Sequence, residues 1–245
     1  MQEFIYFDKY ARWIPELGRR EVWEETVDRV ITFLKKNTQV DYSDSEWQVM
    51  RGAMLKLEAL RSMRIVQMAG PALERSRVGA YNCAYTVIDR VDAFTEILYI
   101  LMQGTGIGYS VEDRYVSLLP RVKKQRRGPV DKYVIPDTTE GWCDALKAGL
   151  HTWMNGRDVV FDYSQLRLCG AVLKTKGGRA SGPQPLKDLL DFTRVTVLNR
   201  QGKKLTTLDC HDIACYCGDI VEVGGVRRAA LICLSDLEDS DIAEC

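Results

Sequence analysis

The chain has 245 residues and a mass of 27.9 kDa, long enough to bury roughly 70–75% of the surface its unfolded form exposes. Lys+Arg 34 balance Asp+Glu 34, so the chain lacks the basic excess of a dedicated nucleic-acid binder, and 46% hydrophobic with 28% charged residues exclude wholesale disorder. The sequence has no apolar run of the roughly 18 residues a membrane span needs, and Met1 to Tyr10 lack the basic-then-apolar pattern of a signal peptide; a cytoplasmic protein with reduced cysteines is expected.

The N-terminal third reads as helices. Val27, Val30, Ile31 and Leu34 recur at helical spacing, and Asn37 ends the run. A second helix is expected from Ser45, with Trp47, Met50, Met54, Leu57 and Leu60 on one face. Ala84 to Ile88 is β-branched and aromatic, hence a strand. Phe94, Ile97, Leu98 and Leu101 mark a helix stopped by Gly104. Gly104-Thr105-Gly106-Ile107-Gly108 is read as a loop, followed by the alternating Tyr109-Ser110-Val111. From Pro120 to Asp137 basic residues, Gly128 and Pro129 predict a solvated loop. Thr138 can cap a helix carrying Trp142, Leu146, Leu150 and Trp153. Val159 to Phe161 predicts a buried strand. Leu186, Leu189, Leu190, Phe192 and Val197 predict a helix with Pro183 or Pro185 at its start. Asp209 to Val223 predicts another helix, and Ala230 to Leu234 a last strand. Strands alternating with helices imply βαβ units and parallel pairing. The sequence shows no internal repeat and no linker that would split it.

Several residues carry candidate chemistry. Cys210, His211, Cys215 and Cys217 invite a zinc reading, and His211 and Cys215 would share one helical face. Structural zinc sites use separated pairs with wider spacing than Cys215-Tyr216-Cys217, so packed, inert helix cysteines are the better reading. His151 beside Trp153 reads as a packed or surface histidine. The glycines at 104, 106 and 108 are in the wrong order for a dinucleotide fingerprint, which needs a strand before and a helix after; they still allow a ligand to approach the backbone closely. Lys176 to Pro183 is glycine-rich and precedes a helix, where an anion could bind, but it lacks the Gly-Lys-Ser/Thr ending of a P-loop. Cys83, taken alone, reads as a buried structural cysteine at the mouth of a strand.

Taken together, the segments resemble one family. Tyr10-Ala11-Arg12-Trp13-Ile14-Pro15-Glu16 and Gly18 to Val27 are similar to the entry of adenosylcobalamin-dependent ribonucleotide reductases of the monomeric, class II type. So are Arg61-Ser62-Met63-Arg64, Asn82-Cys83, Gly104 to Val111, Pro136 to Trp142, Gly177 to Leu186, and Asp212-Ile213 followed by Gly224 to Ala230. The blocks come in the family's order along nearly the whole chain.

The resemblance implies an α/β fold: an N-terminal helical region over residues 1–65, then, over 66–245, the first half of a ten-stranded α/β barrel. It implies that Cys83 is one member of the redox pair that reduces the ribose, its partner lying beyond this chain. It implies that Ser62, Asn82 and Gly106 contact the substrate nucleotide. The loop carrying Lys176, Gly177, Gly178, Arg179, Ala180 and Ser181 would pass effector identity to the substrate site. The implied substrate is a ribonucleoside triphosphate, the reductant a thioredoxin-like dithiol and the cofactor adenosylcobalamin; the effector would be a deoxynucleotide, and no nucleic acid, membrane or protein-bound metal is implied. Thiol–disulfide exchange suits a cysteine pair to that work. The radical-bearing cysteine and most cobalamin-binding segments would lie after Cys245. The chain therefore reads as the N-terminal half of a truncated, split or intein-interrupted reductase, inactive alone. The segment 120–137 reads as shorter than the family's effector-site insertion. The alternative reading is a non-catalytic nucleotide-binding module that kept the fold.

Overall fold

A computed structural model describes residues 2–126, 128–171, 180–221 and 230–244. They form two compact units, Met1–Asn82 and Cys83–Cys245.

In the first unit, helix α1 (Gln2–Lys9) precedes a short antiparallel pair, β1 (Trp13–Ile14) and β2 (Arg19–Arg20), in a region expected to be helical throughout. Helices α2 (Trp23–Asn37), α3 (Asp44–Leu55), α4 (Met63–Met68) and α5 (Pro71–Arg75) follow. Ser43 caps α3 in a capping box: its hydroxyl accepts from the Glu46 amide, and the Glu46 carboxylate accepts from the Ser43 amide at 2.8 Å. Val27, Val30 and Ile31 of α2 pack with Trp47 and Met54 of α3 and Val66 of α4. The expected face of α3 ran too far. The helix stops at Leu55, Leu57 adopts φ +59°, and Leu57 and Leu60 are exposed.

Arg29 ties this unit together. Its guanidinium donates to both Glu21 carboxylate oxygens, at 2.8 and 3.0 Å, and to the Ala69 carbonyl at 2.9 Å. Glu21 also accepts from the Arg12 amide at 3.1 Å and the Thr26 hydroxyl at 2.8 Å. Burial would push the Glu21 carboxyl up, but these donors outweigh it and hold the pKa below its usual range.

The second unit alternates strands and helices: β3 (Cys83–Val87), α6 (Asp92–Met102), β4 (Gly106–Ser110), α7 (Asp113–Val116), β5 (Asp131–Val134), α8 (Thr139–Met154), β6 (Val159–Asp162), α9 (Gln184–Asn199), α10 (Thr207–Asp219), β7 (Leu231–Leu234) and α11 (Ser240–Ala243). The expected parallel pairing is present. Strands β3, β4 and β7 form one parallel sheet in the order β3-β4-β7, and β5 pairs in parallel with β6. These are two sheets; the described residues do not join them into one half-barrel.

Three sequence expectations are corrected here. Gly106 and Gly108 are not in a loop but in β4, paired with Cys83 and Tyr85 of β3. A strand, β5, occupies part of the segment read as a solvated loop; Tyr133 packs against the core and Ile135 is fully buried. Helix α10 runs two residues earlier than expected, with Thr206 as its cap, and Val223 lies outside the described residues.

Among the described residues, the three-stranded sheet is covered on one side only. Ile107 and Tyr109 are buried, in one core with Phe94, Ile97 and Leu98 of α6 and Ile213 and Ala214 of α10. Because side chains alternate along a strand, Cys83, Tyr85 and Ile232 lie on the opposite face. There Tyr85 is 56% and Ile232 68% exposed. Parallel sheets normally have both faces covered.

Candidate active site

Cys83 is the first residue of β3, and its register partner on β4 is Gly106. The cysteine is exposed, not buried as it reads in isolation. The reason is geometric: Ala84 packs, half-buried, against the core, so its odd-numbered neighbour at the strand start faces the other way. Register thus brings Cys83 and Gly106 together on the open face. With no side chain at 106 or 108, the backbone of β4 is accessible beside the thiol.

Ser62 and Asn82 meet in the first unit through an arginine. Ser62 precedes α4 as its N-cap, exposed and making no side-chain cap bond. Two residues on, Arg64 is buried and donates from Nε to Asn82 Oδ1 at 3.3 Å. Sequence reasoning gave Arg64 no role, although it stands in the quoted block Arg61-Ser62-Met63-Arg64. Tyr85 shares the Cys83 face of β3, as strand periodicity from Cys83 dictates.

Of the expected effector loop, Lys176, Gly177, Gly178 and Arg179 lie outside the described residues, while Ala180 and Ser181 are described. The base of this segment is closed by backbone bonds: the Gly170 amide donates to the Ala180 carbonyl at 2.9 Å and the Ala180 amide to the Ala171 carbonyl at 2.8 Å. Gly182 has φ +80°, and a Cβ there would stand 3.0 Å from the Cys169 nitrogen, so the turn into α9 requires glycine.

The remaining candidates separate. Cys210 and Cys217 are buried, as expected for packing cysteines, and burial raises their thiol pKa values well above the usual range. Cys215 departs from that expectation and is exposed. His151 is a surface residue whose Nε2 lies 2.7 Å from an Asp92 carboxylate oxygen. Among the described residues, no group of three or more His, Cys, Asp or Glu side chains could hold a metal ion, and no helix is long and apolar enough to cross a membrane.

Known proteins are similar to this chain along most of its length. Residues 1–67 match the model of the ribonucleotide reductase alpha domain. Residues 117–198 match that of the B12-dependent ribonucleotide reductase insertion domain, a span that includes the 120–137 segment. The fold and these matches define the class: the chain is similar to ribonucleotide reductases. Within that class, the similarity is to the N-terminal part of the adenosylcobalamin-dependent ribonucleoside-triphosphate reductases. The enzyme of that name from Lactobacillus helveticus (strain DPC 4571) is 29% identical over 306 aligned positions, which take in 96% of this chain and 41% of the relative. The Euglena gracilis enzyme of the same name is also 29% identical, over 257 positions, 96% of this chain and 35% of its own length. A crystal structure of B-12 dependent (class II) ribonucleotide reductase superposes with a TM-score of 0.77 at 25% identity, over 98% of this chain and 42% of that one. The chain thus spans about two fifths of the length of the Lactobacillus relative it matches.

These relatives are adenosylcobalamin-dependent by name. The described residues do not by themselves enclose such a group. Among the described residues the face bearing Cys83 is open, as the exposure of Tyr85 and Ile232 shows.

Proposed function

We propose that the chain is the N-terminal portion of a ribonucleoside-triphosphate reductase that makes deoxyribonucleotides for DNA synthesis. The observation that carries this is the exposed Cys83, register-paired with Gly106 on the uncovered face of a parallel sheet, in a chain similar to such reductases along 96% of its length. In this reading Cys83 is one thiol of a dithiol that reduces the substrate ribose and is restored by exchange with a thioredoxin-like protein. Gly106 lets the nucleotide lie against β4. Ser62, with a hydroxyl unused in capping, and Asn82, held by Arg64, contact the nucleotide. The segment from Lys176 to Ser181 senses a deoxynucleotide effector. Adenosylcobalamin, which would be held mostly by residues outside this chain, would supply the radical chemistry that starts the reaction.

The test supplies the remaining part of the reductase together with this chain and compares Cys83→Ser with the natural cysteine. Multiple turnover with a dithiol reductant should fall at least ~100-fold while cobalamin binding persists, because the variant has no thiol to pair with its partner. Unchanged turnover would show that Cys83 has no redox part.

A further inference from the structure

Tyr109, His211 and Cys215 form a cluster that the reductase reading does not use. Tyr109 lies on the covered face of β4, away from Gly106 and Gly108, and is 1% exposed. Helix α10 lays His211 and Cys215, one turn apart, against its hydroxyl. Tyr109 Oη is 2.9 Å from His211 Nδ1 and 3.5 Å from Cys215 Sγ, and Cys215 Sγ is 3.5 Å from His211 Nε2. The three groups close a ring, and only Cys215 is exposed.

The protonation states of this ring can be counted. Burial, with the neighbouring Cys215 and with Cys233, its register partner on β7, pushes the Tyr109 phenol well above its usual range, so its hydroxyl stays a donor. With a thiolate and an imidazolium, Nδ1–H donates to Tyr109 Oη, while Oη–H and Nε2–H both donate to Sγ. With a neutral pair and the ring proton on Nε2, the Tyr109 hydroxyl donates to Nδ1 and the sulfur accepts from Nε2–H alone. The geometry therefore offers two donors to the charged sulfur and a nearby base to take its proton, with that base oriented by a third group. The chain's other histidine, His151, is engaged with Asp92. The exposed Cys83 and Cys169 thus have no imidazole beside them.

We propose that Cys215 is a thiol-modification site, a nucleophile activated by His211 and oriented by Tyr109, which takes up low-molecular-weight disulfides. The Cys215 sulfur attacks one sulfur of the disulfide RSSR. A new S–S bond forms to that sulfur as the RS–SR bond breaks, and RS⁻ leaves. The proton removed from Cys215 passes by way of His211 to the leaving thiolate. Cys215 is oxidised to the mixed disulfide, one half of the reagent is reduced to RSH, and no other electron acceptor is needed.

The test treats the full 245-residue chain, under native conditions at neutral pH, with a limiting amount of an aromatic disulfide, and follows each cysteine by peptide mass mapping. Cys215 should be modified at least ~10-fold faster than the exposed Cys169, because an ordinary thiol is only a few per cent thiolate at that pH. In His211→Gln, Cys215 should fall to within ~2-fold of Cys169 with an unchanged thermal midpoint. Equal rates for Cys215 and Cys169 in the natural chain would overturn the proposal, and that comparison decides it even if His211→Gln does not fold. Fast modification retained in a folded His211→Gln would overturn the role of His211 and with it the proposal.

Discussion

Cys83 and Cys215 are both exposed thiols, yet their surroundings differ in kind. Cys83 has a glycine strand beside it and open space above it; Cys215 has a phenol and an imidazole within 3.5 Å. The sequence already sets His211 one helical turn from Cys215 and gives Cys83 no such neighbour; Tyr109, across the fold, completes the difference. The same scale governs the base of the segment 172–179. Gly170 and Gly182 both have positive φ, +86° and +80°, but only Gly182 would place a Cβ against Cys169. Gly170→Ala should cost about 1 kcal/mol from backbone strain alone, and Gly182→Ala should cost more, about 2 kcal/mol, from strain plus the close contact. Denaturant unfolding of the two variants checks the order; equal losses would mean that the contact relaxes.

At the scale of elements, helix α2 is held by its apolar stripe and by the bond set around Arg29. Its guanidinium bridges Glu21 to the Ala69 carbonyl at the end of α4, the helix whose start carries Ser62. Both side chains are largely shielded, at 14% and 8% exposure. Removing the arginine leaves a shielded carboxylate with fewer partners, so Arg29→Ala should destabilise by about 3 kcal/mol. The pH dependence has a definite sign. The Glu21 pKa is depressed in the folded state, so its contribution is complete above the ordinary carboxylate range and is lost as pH falls through the folded value. Stability of the natural chain should therefore decline more steeply on acidification than that of Arg29→Ala. Denaturation midpoints measured from neutral pH downward decide this; parallel curves would show that the pair does not carry the dependence.

At the scale of the whole molecule, the governing feature is a parallel sheet with one face that the described residues leave uncovered. Tyr85, Ile232 and Leu234 are exposed on β3 and β7, and Val134 and Val160 on the β5–β6 pair. Exposed apolar surface of this kind drives association. The chain alone should self-associate with rising concentration, and Ile232→Lys should reduce this without lowering the thermal midpoint, since the lysine replaces a side chain already 68% exposed. Size-exclusion chromatography with light scattering measures it. A monodisperse monomer at all concentrations would show that the open face is not adhesive.

Most helices could be read from the chain alone, because Val27-Val30-Ile31 and Phe94-Ile97-Leu98 place apolar groups at the period of one helical face and Thr138 announces a start. The resemblance to the class II reductases was also legible, since short blocks in fixed order survive when overall identity falls to 29%. Of strand β4 only the end, at Tyr109-Ser110, was legible; its glycine-rich first half was not, since it has no local preference for a strand and hydrogen bonds to β3 and β7 create one. Nor was β5, whose extended form rests on pairing with β6 across more than two dozen residues. The exposure of Cys83 and the ring at Cys215 likewise came only with the fold. Which way a side chain points, and what stands 3.5 Å from it, depends on contacts between residues as distant as Tyr109 and Cys215, and no local pattern encodes these.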